Sequence, residues 1–241
     1  MNQIRLIIMA GGLATRWDNY LNRPKHLIRI NGETLLERQI RQYRSHGVRD
    51  IVIVGPQEID LRYTNPASRT IFPKDGLSTL PFEYRLVENM NLWHFLFTGA
   101  RRAEHFIISL GDVFMSPLLV KTSIQAARCE EFAWIAKRGY DHHAEAKRFK
   151  ASWRTWGELW TITLRRGLLS DFLRATKRCQ LDGLGTKRIY PELVRLRYGE
   201  ELSSHFDTPC SHHLDDYSID FDSPEIYEEW LHSHSEDIHL L

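Results

Sequence analysis

The chain has 241 residues, with 32 lysines and arginines against 31 aspartates and glutamates, for a formal net charge of +1 at neutral pH. This length suits one domain, or one domain with a small extension, and is enough to bury a substantial core. The balanced charge excludes the broad electrostatic field expected of a nucleic-acid or anionic-membrane binder.

In chain order, Ile4 to Met9 is a β-rich run that is apolar at every position but Arg5. It reads as a strand covered on both faces rather than as a leader, which needs a longer apolar region and a small-residue cleavage site. Thr34 to His46 has Leu35, Leu36, Ile40 and Tyr43 near helical spacing, and Gly47 stands where a helix stops. Asp50 to Gly55 predicts a second buried strand. Residues 56–83 hold Pro56, Pro66, Pro73 and Pro81 and read as loop with short local structure. A third strand is expected over Tyr84 to Val87, a helix over Asn91 to Ala103, and a strand over Phe106 to Leu110 that ends in Gly111-Asp112. Strands alternating with helices predict a mostly parallel central sheet with helices on both faces, a Rossmann-like α/β/α sandwich.

The second half is less regular. Phe132 to Ala136 and Leu159 to Leu164 predict strands, and Gly167 to Cys179 and Thr186 to Arg197 predict amphipathic helices. Residues 139–154 are polar, with several histidines and basic residues, and read as an insert or rim. Near the end, Tyr217 to Asp222 leads into Ser223-Pro224-Glu225, with serine as an N-cap and proline at the first helical position. No apolar run reaches the roughly 18 residues of a membrane span. The three cysteines, Cys129, Cys179 and Cys210, are far apart and odd in number. They fit neither a disulfide framework nor a zinc spacing, so the expected compartment is the cytoplasm.

The chemistry concentrates where strands end. The first strand runs into Ala10-Gly11-Gly12-Leu13-Ala14-Thr15-Arg16, and Pro24-Lys25 follows. Glycines let backbone N–H groups approach phosphate oxygens, arginine offers a planar fork of donors, and lysine offers a mobile point charge. Ligands of such sheets bind at the carboxyl ends of the strands, where this loop and Asp112 both fall. Asp220 and Asp222 share a side if their segment is extended. The bland readings are a surface arginine for Arg16, a solvated lysine for Lys25, a helix N-cap for Asn91 and a helix-capping acid for Asp222. His142-His143 and His212-His213 read as solvated rims of polar loops rather than metal ligands.

Gly-Gly-x-x-x-Arg after a first strand, then Pro-Lys, then Gly-Asp after a later strand, then Asp-Ser-Pro-Glu near the end, resembles the GT-A-like nucleotidyltransferases. This group includes the sugar-1-phosphate nucleotidyltransferases and phosphocholine cytidylyltransferases. The likeness is clearest over residues 4–55 and 88–120, and weaker at 156–164 and 217–230. It implies one nucleotidyltransferase domain over 1–241, with a nucleotide-binding half (1–120) and an acceptor-binding half (121–241). The implied reaction joins an NTP to a phosphate-bearing acceptor and releases pyrophosphate.

Residue by residue, the resemblance gives Ala10, Gly11, Gly12, Ala14 and Thr15 to the nucleotide loop, and Arg16 and Lys25 to catalysis on the phosphates. Many members carry a further glycine where this chain has Ala14. Asp112 and Asp222, with Asp220 nearby, match the carboxylates that hold Mg2+. Asn91 falls in a segment that carries an asparagine near the nucleoside or acceptor in the phosphocholine-type branch. Glu158, in Trp156-Gly157-Glu158, falls near the acceptor. CTP and a small phosphate- or phosphonate-bearing acceptor are the favoured partners, without nucleic acid or membrane, and a homodimer is left open. Four alternatives stand beside this reading: a sugar-1-phosphate acceptor with UTP, dTTP or CTP, a GT-A glycosyltransferase, a nucleotide-binding protein without turnover, and, less favoured because Pro24-Lys25 follows a longer loop than expected there, a molybdenum-cofactor-type guanylyltransferase.

Overall fold

The computed structural model describes residues 3–10, 17, 20–22, 24–54, 68–71, 102–137, 158–181, 189–199, 210–221 and 223–234. The strands are β1 (Gln3–Met9), β2 (Arg29–Ile30), β3 (Glu33–Thr34), β4 (Asp50–Val54), β5 (Ser68–Ile71), β6 (Ala103–Leu110), β7 (Val113–Phe114), β8 (Phe132–Lys137), β9 (Glu158–Arg165), β10 (Ser211–Leu214) and β11 (Ile219–Asp220). The helices are α1 (Leu35–Ser45), α2 (Pro117–Cys129), α3 (Leu169–Leu181), α4 (Ile189–Tyr198) and α5 (Pro224–Ser233).

Among the described residues, seven strands form the central sheet in the order β10-β8-β9-β6-β1-β4-β5. β1 runs parallel to both β4 and β6, β4 to β5, and β10 to β8, while β9 is antiparallel to β6 and β8. The alternation inside β1 explains the layering. Ile4, Leu6 and Ile8 pack on one face with Leu36, Ile40 and Tyr43 of α1 and Leu119, Val120 and Ile124 of α2. Ile7 and Met9 pack on the other with Phe172 and Ala175 of α3 and Tyr190 and Leu193 of α4. Residues of alternating direction in one strand thus fill two separate cores, which makes the run from Ile4 to Met9 apolar except at Arg5, whose Nε lies 2.8 Å from Asp50 Oδ2. The fold is the three-layer α/β/α arrangement expected.

Local chemistry sets the helix starts. Thr34 caps α1 with a reciprocal box: the Glu37 N–H donates to Thr34 Oγ1 at 3.1 Å, and the Thr34 N–H donates to Glu37 Oε2 at 2.8 Å. Asn31 and Gly32, with φ of 53° and 78°, make the two-residue turn between β2 and β3. This hairpin joins the Lys25 segment to α1.

Four expectations need correction. Ser68 to Ile71, placed in an irregular stretch, is edge strand β5, recruited by parallel pairing with β4. The helix expected over Asn91 to Ala103 does not reach its last two residues: Arg102 is a turn, and Ala103 opens β6 in register with Gln3; residues 91–101, like the strand expected at 84–87, lie outside the described residues. α2 went unpredicted, although Ser116-Pro117 repeats the cap-and-proline start of Ser223-Pro224; the Leu119 N–H donates to Ser116 Oγ at 2.9 Å. His212 and His213 lie in edge strand β10 rather than in a loop, half-buried, with His212 Nε2 2.7 Å from Glu130 Oε1. The polar segment 139–154 lies outside the described residues. Cys129 and Cys210 are free cysteines, and no helix among the described residues is long and apolar enough to cross a membrane.

Candidate functional site

The tips of β1 and β6 converge. The Gly111 N–H donates to the Met9 carbonyl at 2.9 Å. A Cβ at Gly111 would lie 2.9 Å from Ala10 Cα and 3.0 Å from Met9 O, so only glycine fits without moving backbone. This close approach sets Asp112 beside Ala10, the buried first residue of the glycine-loop motif. Gly111→Ala is expected to force the strand tips apart and to lower stability by about 1–3 kcal/mol. Urea unfolding against wild type measures it.

Lys25 begins a 3-10 turn after Pro24, whose extended φ and ψ of −59° and 144° suit its ring. The lysine turns inward. Its Nζ lies 2.7 Å from Asp112 Oδ2 and 3.6 Å from Asp220 Oδ1. Asp220 arrives from the far end of the chain because β11 pairs antiparallel with β7, with Asp220 opposite Val113. A buried clip holds that pairing. The Ser116 N–H donates to Ser218 Oγ at 2.9 Å, Ser116 Oγ donates to Asp216 Oδ2, and the Ser218 N–H donates to Asp216 Oδ1 at 2.8 Å.

Beneath these strands lies a third apolar cluster. It joins Trp17, next to the expected Arg16, with Phe114 of β7, Phe221 after β11, and Tyr227 and Trp230 of α5. Phe221 meets Tyr227 edge-on at 5.2 Å, and Phe114 lies 4.6 Å from Trp230. The C-terminal helix therefore packs under the same strands that carry Asp112 and Asp220.

Two carboxylates against one ammonium leave the trio anionic. Burial raises the Asp112 pKa, but the Lys25 charge and hydrogen bond, with smaller help from its own backbone and His26, outweigh it and hold the carboxyl below its ordinary value. The neighbouring His26 is buried, and its Nε2 makes no hydrogen bond among the described residues. Burial pushes its pKa down to about 4; Asp112 pulls it up and Lys25 pushes it further down. A buried neutral histidine must unfold to charge, so its contribution is complete above pH 6.5 and is lost as pH falls toward 4. About 3 kcal/mol is at stake, of which about 2 is gone by pH 5. His105, also lowered by burial, acts in the same direction, whereas Asp112 adds its own loss only below its ordinary 3.8. His26→Gln is expected to flatten the fall in urea-unfolding stability between pH 7 and 5 by about 2 kcal/mol. An unchanged slope would show that His26 does not titrate there.

Of the residues singled out from the sequence, Ala10, Lys25, Asp112 and Asp220 come together. Glu158 opens β9, opposite Lys137 of β8. Because β9 is antiparallel, its start lies on the same sheet edge as the carboxyl ends of β1 and β6. Gly11, Gly12, Ala14, Thr15, Arg16, Asn91 and Asp222 lie outside the described residues. Two half-buried carboxylates around a cationic position form a set that a hard divalent ion accepts. Among the described residues, no group of three His, Cys, Asp or Glu side chains converges, so further ligands would come from elsewhere.

Residues 6–179 match the family described as MobA-like NTP transferase domain. No curated protein matches the chain. Several solved structures share the fold. The CTP:phosphocholine cytidylyltransferase of Streptococcus pneumoniae aligns over 94% of this chain and 97% of its own, at 15% identity and a TM-score of 0.57. The 4-diphosphocytidyl-2C-methyl-D-erythritol synthase of Anaerococcus prevotii aligns over 98% and 97%, at 12% identity and a TM-score of 0.62. Rv0371C of Mycobacterium tuberculosis, solved in complex with manganese, aligns over 96% and 100%, at 15% identity and a TM-score of 0.56.

Proposed function

Because the chain belongs to the MobA-like NTP transferase family and is a nucleotidyltransferase, we propose that it transfers CMP from CTP to a small phosphate- or phosphonate-bearing acceptor. The observation that carries the site is the Lys25 ammonium held between Asp112 and Asp220, beside the strand tip that opens the glycine loop. Support for CTP comes from fold likeness to two cytidyl-transferring enzymes and from the Asn91 segment.

The acceptor oxyanion attacks the α-phosphorus in line as pyrophosphate leaves. A phosphate monoester is largely doubly ionised at neutral pH, with a second pKa near 6, so no general base is needed. The protein's work is alignment and charge stabilisation. Lys25 offsets charge at the α-phosphate. Arg16 and the N–H groups of Gly11 and Gly12 bind the departing pyrophosphate. Asp112 and Asp220, with Asp222, hold Mg2+, which when bound neutralises phosphate charge. Glu158 contacts the acceptor from the neighbouring strand.

Thermal unfolding with each of the four NTPs and with dTTP, with Mg2+ and then with EDTA, tests the reading. A ligand at a hundredfold excess over its Kd stabilises the native state by about 2.7 kcal/mol. A shift with CTP that EDTA removes is the expected result. A shift with UTP or dTTP alone would assign the sugar-1-phosphate alternative, and a shift without pyrophosphate release on any acceptor would assign the non-catalytic one.

A further inference from the structure

α1 carries three buried polar side chains, Arg38, Gln39 and Gln42, on or beside its apolar face. All three donate to backbone carbonyls of residues 110–115. Gln39 is fully buried, and its Nε2 donates to Leu110 O at 2.7 Å and to Val113 O at 3.0 Å. Those two carbonyls flank Gly111-Asp112 on either side. One side-chain amide therefore spans the turn that carries the candidate cation carboxylate. Its own Oε1 accepts from the buried Ser109 hydroxyl at 3.1 Å. The orientation of the amide follows from chemistry: only the NH2 end has two protons for two carbonyls, and only the oxygen accepts from a hydroxyl. Arg38 Nε and Gln42 Nε2 both donate to Met115 O, at 3.1 and 3.2 Å, beyond the turn.

We propose that Gln39 is a positioning residue for Asp112: its amide bridges the two ends of the Leu110–Val113 turn and aims the carboxylate at the nucleotide-bound cation. The cation part rests on the reading under Proposed function; the hold on the turn does not. Removing the amide leaves one buried and one partly buried carbonyl without this donor, a heavier loss than that of one paired bond. It loosens the turn rather than the whole sheet, because β1 and β6 keep their ladder.

Gln39→Met keeps the length of the side chain and removes its donors. Gln42→Met is the matched control on the same helix, because Met115 O keeps the Arg38 donor when Gln42 is lost. Two readouts apply to each purified full-length variant. One is amide exchange of the peptide covering 110–113, which includes the Gly111 N–H held by Met9 O. The other is Mn2+ affinity by electron paramagnetic resonance, in the presence of the NTP that stabilises wild type. In Gln39→Met, exchange is expected to quicken about tenfold or more and Mn2+ affinity to fall by a similar factor. Gln42→Met stays near wild type in both. Wild-type values in Gln39→Met, or equal losses in the two variants, overturn the proposal. If Gln39→Met fails to fold, Ser109→Ala replaces it: it frees the amide to rotate, with an expected two- to tenfold effect in the same direction, about one hydrogen bond's worth. No change in Ser109→Ala then overturns the proposal. Absence of Mn2+ binding in wild type counts against the metal site alone, and the exchange comparison still decides whether Gln39 holds the turn.

Discussion

Asp112→Asn is expected to lower turnover by about 10³-fold, roughly 4 kcal/mol of transition-state stabilisation. The change keeps the size of the side chain and its ability to accept from Lys25, but removes one of the two charges that meet at the ammonium. A neutral amide is a poor ligand for a hard cation that must itself bind a polyphosphate. The fold survives. Asp220 remains near Lys25, and the β7–β11 pairing rests on the Ser116–Asp216–Ser218 clip and the aromatic cluster, which the substitution does not touch. Stability is expected to fall by only about 1–3 kcal/mol. Steady-state pyrophosphate release beside urea unfolding separates the two effects. Full turnover in the folded variant would remove Asp112 from the chemistry. Excess Mn2+ in place of Mg2+ is expected to recover part of the loss, because manganese accepts neutral oxygen and nitrogen donors more readily.

How much of this was legible in advance divides along physical lines. β1 and α1 announce themselves because each repeats one period over several residues, and a period is what a linear reading detects. Asp112 was legible as a chemical residue because it follows a strand end. Its meeting with Asp220 was legible only through the family resemblance, because it depends on β7 and β11, two residues each, too short to have a period. Trp17, Phe114 and Phe221 looked unrelated for the same reason: they lie far apart in sequence and join only when those short strands pair. Gln39 was overlooked for another. A glutamine inside a helix ordinarily faces water, yet Gln39 stands three residues after Leu36 and four before Tyr43, on the apolar stripe itself. That spacing was the available sign of a buried amide in need of partners. β5 escaped notice because its edge position is imposed by β4 rather than by its own four residues.

Lys25→Met separates two roles that one side chain combines. The ammonium balances Asp112 and Asp220 and sits largely out of solvent. During transfer it is proposed to serve the α-phosphate instead. Methionine keeps most of the apolar stem and deletes the charge. Two carboxylates are then left near one another without this counter-ion, so they attract a divalent cation more strongly than before. Mn2+ affinity of the nucleotide-free protein is therefore expected to rise, by about tenfold for an ammonium worth about 1.4 kcal/mol at a partly screened site. Turnover moves the other way and falls by about 10²–10³-fold, the usual cost of deleting one preorganised charge from a transferring phosphoryl group. The opposite signs make the pair of measurements decisive. A lysine that only holds the fold together would lower both through instability. A lysine that contacts phosphate but does not compete with the cation would lower turnover and leave Mn2+ affinity unchanged. Tighter metal with slower chemistry is the outcome that the Lys25–Asp112–Asp220 geometry requires, and Lys25→Arg, which restores charge but not the compact point charge of an ammonium, is expected to recover only part of the turnover.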